Sequence, residues 1–447
     1  MRSVITYLFL ALLAIGRLYA QPAPTLEAAT NREFYYAEAP SNKIYVEARI
    51  GSTASALTPP PAANRNLAFV LDRSGSMAGA PIQSLRQAMA ATLNSLSDQD
   101  VVSVVLFGSE VETLVEAKHR NQLGDLDALL AQIEPAGGAA LYDALNQGAA
   151  QLRRNAGPGT INHLVLVTDG PPTKGPRELA DFSKLAEVFA REGFTLSTVG
   201  FGQDFNEDML ATLARIGNGR FRYADKPEKF SEALLAEIAP LRTLVARDAV
   251  VSIEFTADCS DVASYGWKQA VVERATATYH FPYLFADQAS QVLVSAQITT
   301  PRFPSHHTIA TVRLRWNDLV DGKPREVVRP VSVSFDSDAN TVRKSVNPSV
   351  IRTSAGTLIS EGMQQAIEQI DKGDFRRALR ALRRARDDAQ SLNDDLDDPQ
   401  VATRIQQLET YLAEVQARGL NQLDRKILRS GLFNQFETPT EEPKDKK

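Results

Sequence analysis

The chain has 447 residues, of which 43% are hydrophobic and 23% charged, with a formal net charge of −5. That length calls for more than one hydrophobic core, at roughly 100 to 200 residues per domain. The balanced composition excludes a disordered polymer, and the mildly acidic charge argues against a nucleic-acid or other polyanion partner.

The first residues carry an export pattern. Arg2 precedes an apolar run over 4–15, followed by Leu18-Tyr19-Ala20 and then Gln21. A basic start, an apolar stretch and a small-residue cleavage point make residues 1–20 a signal peptide, and the mature chain is expected in the periplasm or outside the cell. The alternative, an uncut anchor, fits poorly because about 12 apolar residues fall short of the roughly 20 that a bilayer needs. No later stretch is apolar enough to span, so no transmembrane anchor is expected after cleavage. The single cysteine, Cys259, has no internal disulfide partner and reads as a small buried residue.

Residues 21–64 contain one alternating strand, at 44–50, and a linker rich in Ser, Thr, Ala and Pro around Pro59-Pro60-Pro61. Between 65 and 242 short apolar runs alternate with amphipathic stretches. Buried parallel strands are expected at 67–71, 101–107, 164–167 and 195–201, and crossover helices at 82–96, 141–153, 178–191 and 206–216. One more strand, at 221–223, and a closing helix at 227–241 complete a doubly wound, Rossmann-like α/β domain.

Over 243–350 the period switches to strands separated by Pro, Asp and Gly, the pattern of a β-sandwich-like domain. Strand 44–50 is expected to pair with this later domain. Residues 351–430 read as a helical hairpin or bundle, with Gly373 stopping one helix and Asp374 capping the next. Ala366, Ile370, Phe375, Ala378 and Leu382 resemble one tetratricopeptide-like unit without a second clear copy, so this hairpin is expected to pack on its own chain. The arginine-rich stretch 376–386 and aspartate-rich stretch 387–398 read as solvated faces with helix-spaced ion pairs. A disordered tail is expected at 431–447.

Ligands of an open parallel sheet gather beyond the carboxyl ends of its strands. The first such strand runs into Asp72-Arg73-Ser74-Gly75-Ser76-Met77, and the strand at 164–167 runs into Thr168-Asp169-Gly170. Carboxylate and hydroxyl oxygens are hard ligands, suited to magnesium, manganese or calcium and poor for zinc or copper. The bland alternative is a turn with an N-cap that starts the next helix.

Asp72-x-Ser74-x-Ser76, followed by Thr168-Asp169-Gly170, resembles the metal-ion-dependent adhesion site of von Willebrand factor type A domains. Gly137-Gly138-Ala139-Ala140-Leu141-Tyr142-Asp143-Ala144-Leu145 is similar to that family's third loop. Gly217-Asn218-Gly219-Arg220-Phe221-Arg222-Tyr223-Ala224 is similar to the entry of its last strand. The resemblance implies one divalent cation, Mg2+ or else Mn2+ or Ca2+, held by Asp72, Ser74, Ser76 and Asp169, with a carboxylate from a protein partner completing the shell. It also puts Ala139 where the family carries a threonine ligand, which leaves two readings open: a cation held with water in that place, or a metal-free site. Asp143 reads as support for its helix rather than as a ligand.

Other chemistry is thin. His119, His163, His280, His306 and His307 read as loop or surface residues, and the adjacent pair would point to opposite faces of a strand. Ser74 and Ser76 lie outside any Gly-x-Ser-x-Gly elbow, and no glycine-rich phosphate loop with its lysine occurs. The expected function is therefore cation-assisted protein recognition or adhesion by an exported, non-enzymatic protein; the alternative is an envelope scaffold or assembly factor whose metal site is degenerate.

Overall fold

A computed structural model describes residues 23–418, except 38, 53–63, 158, 203, 225, 227–228, 267–269, 287–288, 302 and 320–321. The expected signal peptide, the centre of the proline-rich linker and the tail lie outside the described residues. The chain opens with β1 (Pro24–Thr30), β2 (Phe34–Tyr36) and β3 (Ser41–Ser52). An α/β unit follows: β4 (Asn64–Asp72), α1 (Ala80–Ser95), β5 (Val101–Phe107), β6 (Val111–His119), α2 (Leu126–Ala131), α3 (Leu141–Arg153), β7 (Thr160–Thr168), α4 (Leu179–Arg191), β8 (Phe194–Phe201), α5 (Glu207–Ile216), β9 (Asn218–Ala224) and α6 (Phe230–Ile238). Then come β10 (Leu244–Phe255), β11 (Cys259–Tyr265), β12 (Val271–Glu273), β13 (Thr276–Phe285), β14 (Ser290–Thr299), β15 (Ser305–Asn317) and β16 (Pro324–Asp336). Four helices end the described chain: α7 (Ala339–Lys344), α8 (Pro348–Asp371), α9 (Phe375–Asn393) and α10 (Pro399–Arg418).

In the α/β unit the strands lie in the order β6-β5-β4-β7-β8-β9, all parallel except β6, which pairs antiparallel with β5. Both faces of a parallel sheet must be covered by its crossover helices, so each strand is apolar on both sides. β4 shows this directly. Phe69 and Leu71 pack with Leu85 and Met89 of α1 and Leu234 of α6, while Ala68 and Val70 pack with Leu145 of α3 and Phe189 of α4. Gly148 lets α3 come this close: a Cβ there would sit 2.6 Å from Val70 Cγ2. The chain leaves β4 in one direction toward β5 and returns on the other side as β7. The carboxyl ends of β4 and β7 therefore flank the point where the winding reverses.

The remaining strands form two further sheets, β1-β3-β14-β11 and β12-β13-β10-β15-β16-β2. They face each other across one apolar core that includes Leu26, Ile44, Val46, Val251, Ile253, Tyr279, Val294 and Val312. β3 pairs antiparallel with β14 from Ser290↔Ile50 to Thr299↔Ser41. The N-terminal segment therefore belongs to the later sandwich, and the α/β unit is inserted into it. Where one strand was expected before the linker, the structure has β1, β2 and β3.

Residues 44–48 of β3 are buried without alternation because both faces are covered. Ile44 and Val46 face the sandwich core, while Tyr45 joins Leu293 of β14 under α8, α9 and α10. The C-terminal unit is thus a three-helix layer on the outer face of the four-stranded sheet. Asp374 caps α9 by accepting from Arg377 N at 2.9 Å. Arg377 and Arg386 of α9 pair with Asp374 and Asp387 in solvent, but the aspartate-rich stretch is not only a solvated face: Asp388 pairs with Lys43 of β3, Asp395 with Arg32, and the buried Asp398 with Arg352. Cys259 is buried, its thiol 3.9 Å from Ile309 O. Among the described residues no helix is long and apolar enough to cross a membrane.

Candidate functional site

Asp72 is the last residue of β4 and has no exposed surface. Its Oδ1 accepts from Ser74 N at 2.7 Å and its Oδ2 from Thr168 Oγ1 at 2.5 Å, which ties the ends of β4 and β7 together. The Ser74 and Ser76 hydroxyls lie 3.0 Å apart, and Ser76 Oγ donates to Asp169 Oδ1 at 2.8 Å. All four residues read from the sequence, Asp72, Ser74, Ser76 and Asp169, therefore meet in one cluster at the carboxyl end of the sheet.

The N-cap alternative does not describe these hydroxyls. Ser74 precedes a short 3-10 turn, Gly75–Met77, without a side-chain capping bond, and α1 starts after Gly79, again without one. The loop is instead held by its backbone. Arg73 N donates to Phe107 O at 2.8 Å, Gly75 N to Gly137 O at 2.8 Å, and Ala136 N to Arg73 O at 2.6 Å. Gly137 adopts φ 65°, where a side chain would be strained, and a Cβ there would strike the Ser109 hydroxyl at 2.0 Å.

Burial raises the Asp72 carboxyl above the usual carboxylate range, against hydrogen bonds from Ser74 and Thr168 that lower it. Burial also pushes Asp169 up to about 6; the Ser76 bond opposes this, and the charges of Asp72 and Asp204 add to it. Two crowded carboxylates of this kind are relieved by a cation. The oxygen spacing fits one. With metal–oxygen bonds of about 2.1 Å, neighbouring ligands of an octahedral magnesium stand about 3 Å apart. The Ser74–Ser76 and Ser76–Asp169 oxygen pairs are already at 3.0 and 2.8 Å.

Ala139 lies beside this cluster, but its methyl group joins the apolar core with Phe107 and Leu141. A hydroxyl does reach this loop from Thr173, whose Oγ1 accepts from Ala139 N at 2.7 Å. That bond ties the third loop to the loop after Asp169. Asp143 is exposed in the first turn of α3, where its charge suits the helix dipole. Sequence reasoning missed Thr168 as a partner of Asp72 and Asp204 as a contributor to the local field. Position one before Asp169 was the available signal for Thr168; none marked Asp204.

His163 is a correction. Read as a loop or surface residue, it lies in β7 and is 2% exposed. The strand is covered on both faces, so an imidazole on it is buried whichever way it points. His306 and His307 do sit on one strand, β15, and bond separately to Ser334 and Ser305.

Comparison with known proteins agrees with this fold. The profile of the von Willebrand factor type A domain matches residues 65–223. An uncharacterised protein of Synechocystis sp. is 23% identical over 60% of this chain and 66% of its own length. Inter-alpha-trypsin inhibitor heavy chain H2 of Homo sapiens is 30% identical over 35% of this chain and 17% of its own length, so the likeness spans a small part of that protein. Among solved structures, a von Willebrand factor type A protein from Catenulispora acidiphila superposes with a TM-score of 0.65 at 17% identity, over 84% of this chain and 88% of that one. An ArnB paralog from Sulfolobus acidocaldarius gives 0.60 at 17% identity, over 95% and 100% of the two chains. At that identity these two structures speak for the fold, and the sequence profile for the family: this chain is a multidomain protein built around a von Willebrand factor type A domain.

Proposed function

We propose that this protein is an exported, non-catalytic binding protein that holds a protein partner at the top of its type A domain through a divalent cation. The observation that carries the reading is the triplet of oxygens on Ser74, Ser76 and Asp169, spaced like one edge-sharing part of an octahedral shell beside the buried Asp72. Asp72, Ser74, Ser76 and Asp169 would hold magnesium, and the cation would supply an electrophilic anchor for a carboxylate of the partner.

The test is the melting temperature with and without millimolar Mg2+ or Mn2+. A cation at ten times its Kd stabilises the fold by about 1.4 kcal/mol. In a unit of this size that is a rise of roughly 3 to 5 °C. Ser76→Ala should abolish the rise while preserving the fold, because Ser76 is exposed. An equal response in both proteins would overturn the proposal. Export is read by mass spectrometry, with a mature chain starting at Gln21 expected and one retaining Met1 against it.

A second reading, an envelope scaffold or assembly factor with a degenerate site, is favoured by the Ala139 methyl group in the core. Under that reading partner binding survives both chelation and Ser76→Ala.

A further inference from the structure

At the end of the α/β sheet opposite the Asp72 cluster, a cavity of about 170 Å3 lies where the three units meet. His163 and Glu237 of the type A domain wall one side, Phe281, Tyr283 and Gln291 of the sandwich another, and Thr357 of α8 closes it. The type A domain, the sandwich and the helical layer all contribute, so the cavity exists only in the assembled chain.

Its buried polar lining sets the Arg220 guanidinium beside acceptors. Thr195 Oγ1 lies 3.3 Å from Asn162 O and 2.7 Å from His163 Nδ1; when its single proton goes to Asn162 O, the hydroxyl accepts from Nδ1–H and Nε2 is the unprotonated nitrogen. In that tautomer His163 Nε2 presents a lone pair, 3.6 Å from Glu237 Oε1 and without a hydrogen bond. Burial, aided by the Arg220 charge and opposed by Glu237, keeps this imidazole neutral. Gln291 Oε1 is another buried acceptor without a hydrogen-bond partner. Glu237 itself is matched, taking Arg222 Nε at 2.9 Å and Ser197 Oγ at 2.7 Å, so the cavity does not call for a cation.

The geometry points to a binding site for a small neutral ring that carries an O–H or N–H donor, lying against Phe281 and Tyr283 with its donor on His163 Nε2. The size agrees, since an engineered cavity of roughly 150 Å3 holds benzene. Aromatic walls favour a flat guest through edge and face contacts. A donor is demanded because a guest without one leaves the buried lone pair unpaired.

The test uses phenol and its methyl ether, anisole, titrated separately into the full chain and followed by calorimetry. Phenol is expected to saturate in the millimolar range and to bind about tenfold tighter than anisole, the worth of one hydrogen bond. His163→Leu should erase that preference. Thr357→Phe, which fills the cavity from α8 without touching the polar pair, should remove both ligands, and it keeps the test decisive if His163→Leu fails to fold. Failure of phenol to saturate, equal binding of phenol and anisole, or unchanged binding in Thr357→Phe would each overturn the assignment. The magnesium response of the Asp72 cluster is separate from all of these readouts.

Discussion

Replacing His163 with glutamine should change how stability depends on pH, by an amount the structure sets. Burial takes the imidazole from 6.5 in the unfolded chain down to about 4 in the fold. Between those values the unfolded chain binds a proton that the folded chain refuses. Stability from this residue is therefore fully present above pH 6.5 and lost as pH falls toward 4, below which the loss is constant. At 1.36 kcal/mol per unit the whole loss is about 3 kcal/mol, and at pH 5 it is about 2 kcal/mol. Asp169, pushed up to about 6, acts with the opposite sign: it holds a proton that the unfolded chain releases, so its contribution is lost as pH rises toward 6. The two partly cancel in the native protein. The difference between native and His163→Gln proteins isolates the histidine. Urea unfolding followed by circular dichroism should show the variant less stable at pH 7.5, because the Thr195 bond is weakened, with the gap narrowing by about 2 kcal/mol at pH 5. A gap independent of pH would refute the reasoning.

Asp100 pairs in bidentate fashion with Arg65, both nearly unexposed, where the chain enters β4. Asp100→Ala should cost about 3 to 5 kcal/mol in calorimetry, and Arg65→Met with Asp100→Leu should recover most of it. Ala139→Thr restores a hydroxyl to the third loop and should tighten magnesium binding about tenfold, read as the cation concentration needed for half the melting shift. It should also lower stability by about 1 to 3 kcal/mol without metal, because the site is packed. Tyr283 Oη accepts from Asn162 N at 3.1 Å and donates to Gly193 O at 3.2 Å, bridging sandwich and type A domain. Tyr283→Phe should speed hydrogen exchange at Asn162 while leaving the Asp72 cluster's cation response unchanged.

The α/β unit was legible because a parallel sheet writes itself as apolar runs, and β4, β5, β7 and β8 all lie where those runs fall. Its edge strand β6 was not read: one face is solvated, and Val111-Glu112-Thr113-Leu114 alternates too briefly to stand out. β1 was missed for a related reason, since Glu27 is exposed and the strand gains its place by pairing with β3 and burying Leu26 in the sandwich core. The Asp72 cluster could be read because its residues lie at fixed short spacings on two loops. The cavity at His163 could not, because its walls come from residues far apart in sequence and only packing brings them together.

The insertion of one unit into another also orders assembly. β3 is made early, yet its partner β14 is separated from it by the entire type A domain. A sheet strand waiting for so distant a neighbour has a large loop to close, which slows pairing. The inserted domain has short internal crossovers and its own two cores, so it can fold while β14 is still unsynthesised. Once folded, it replaces a long floppy loop with a rigid body that carries β3 toward the site where β14 will arrive.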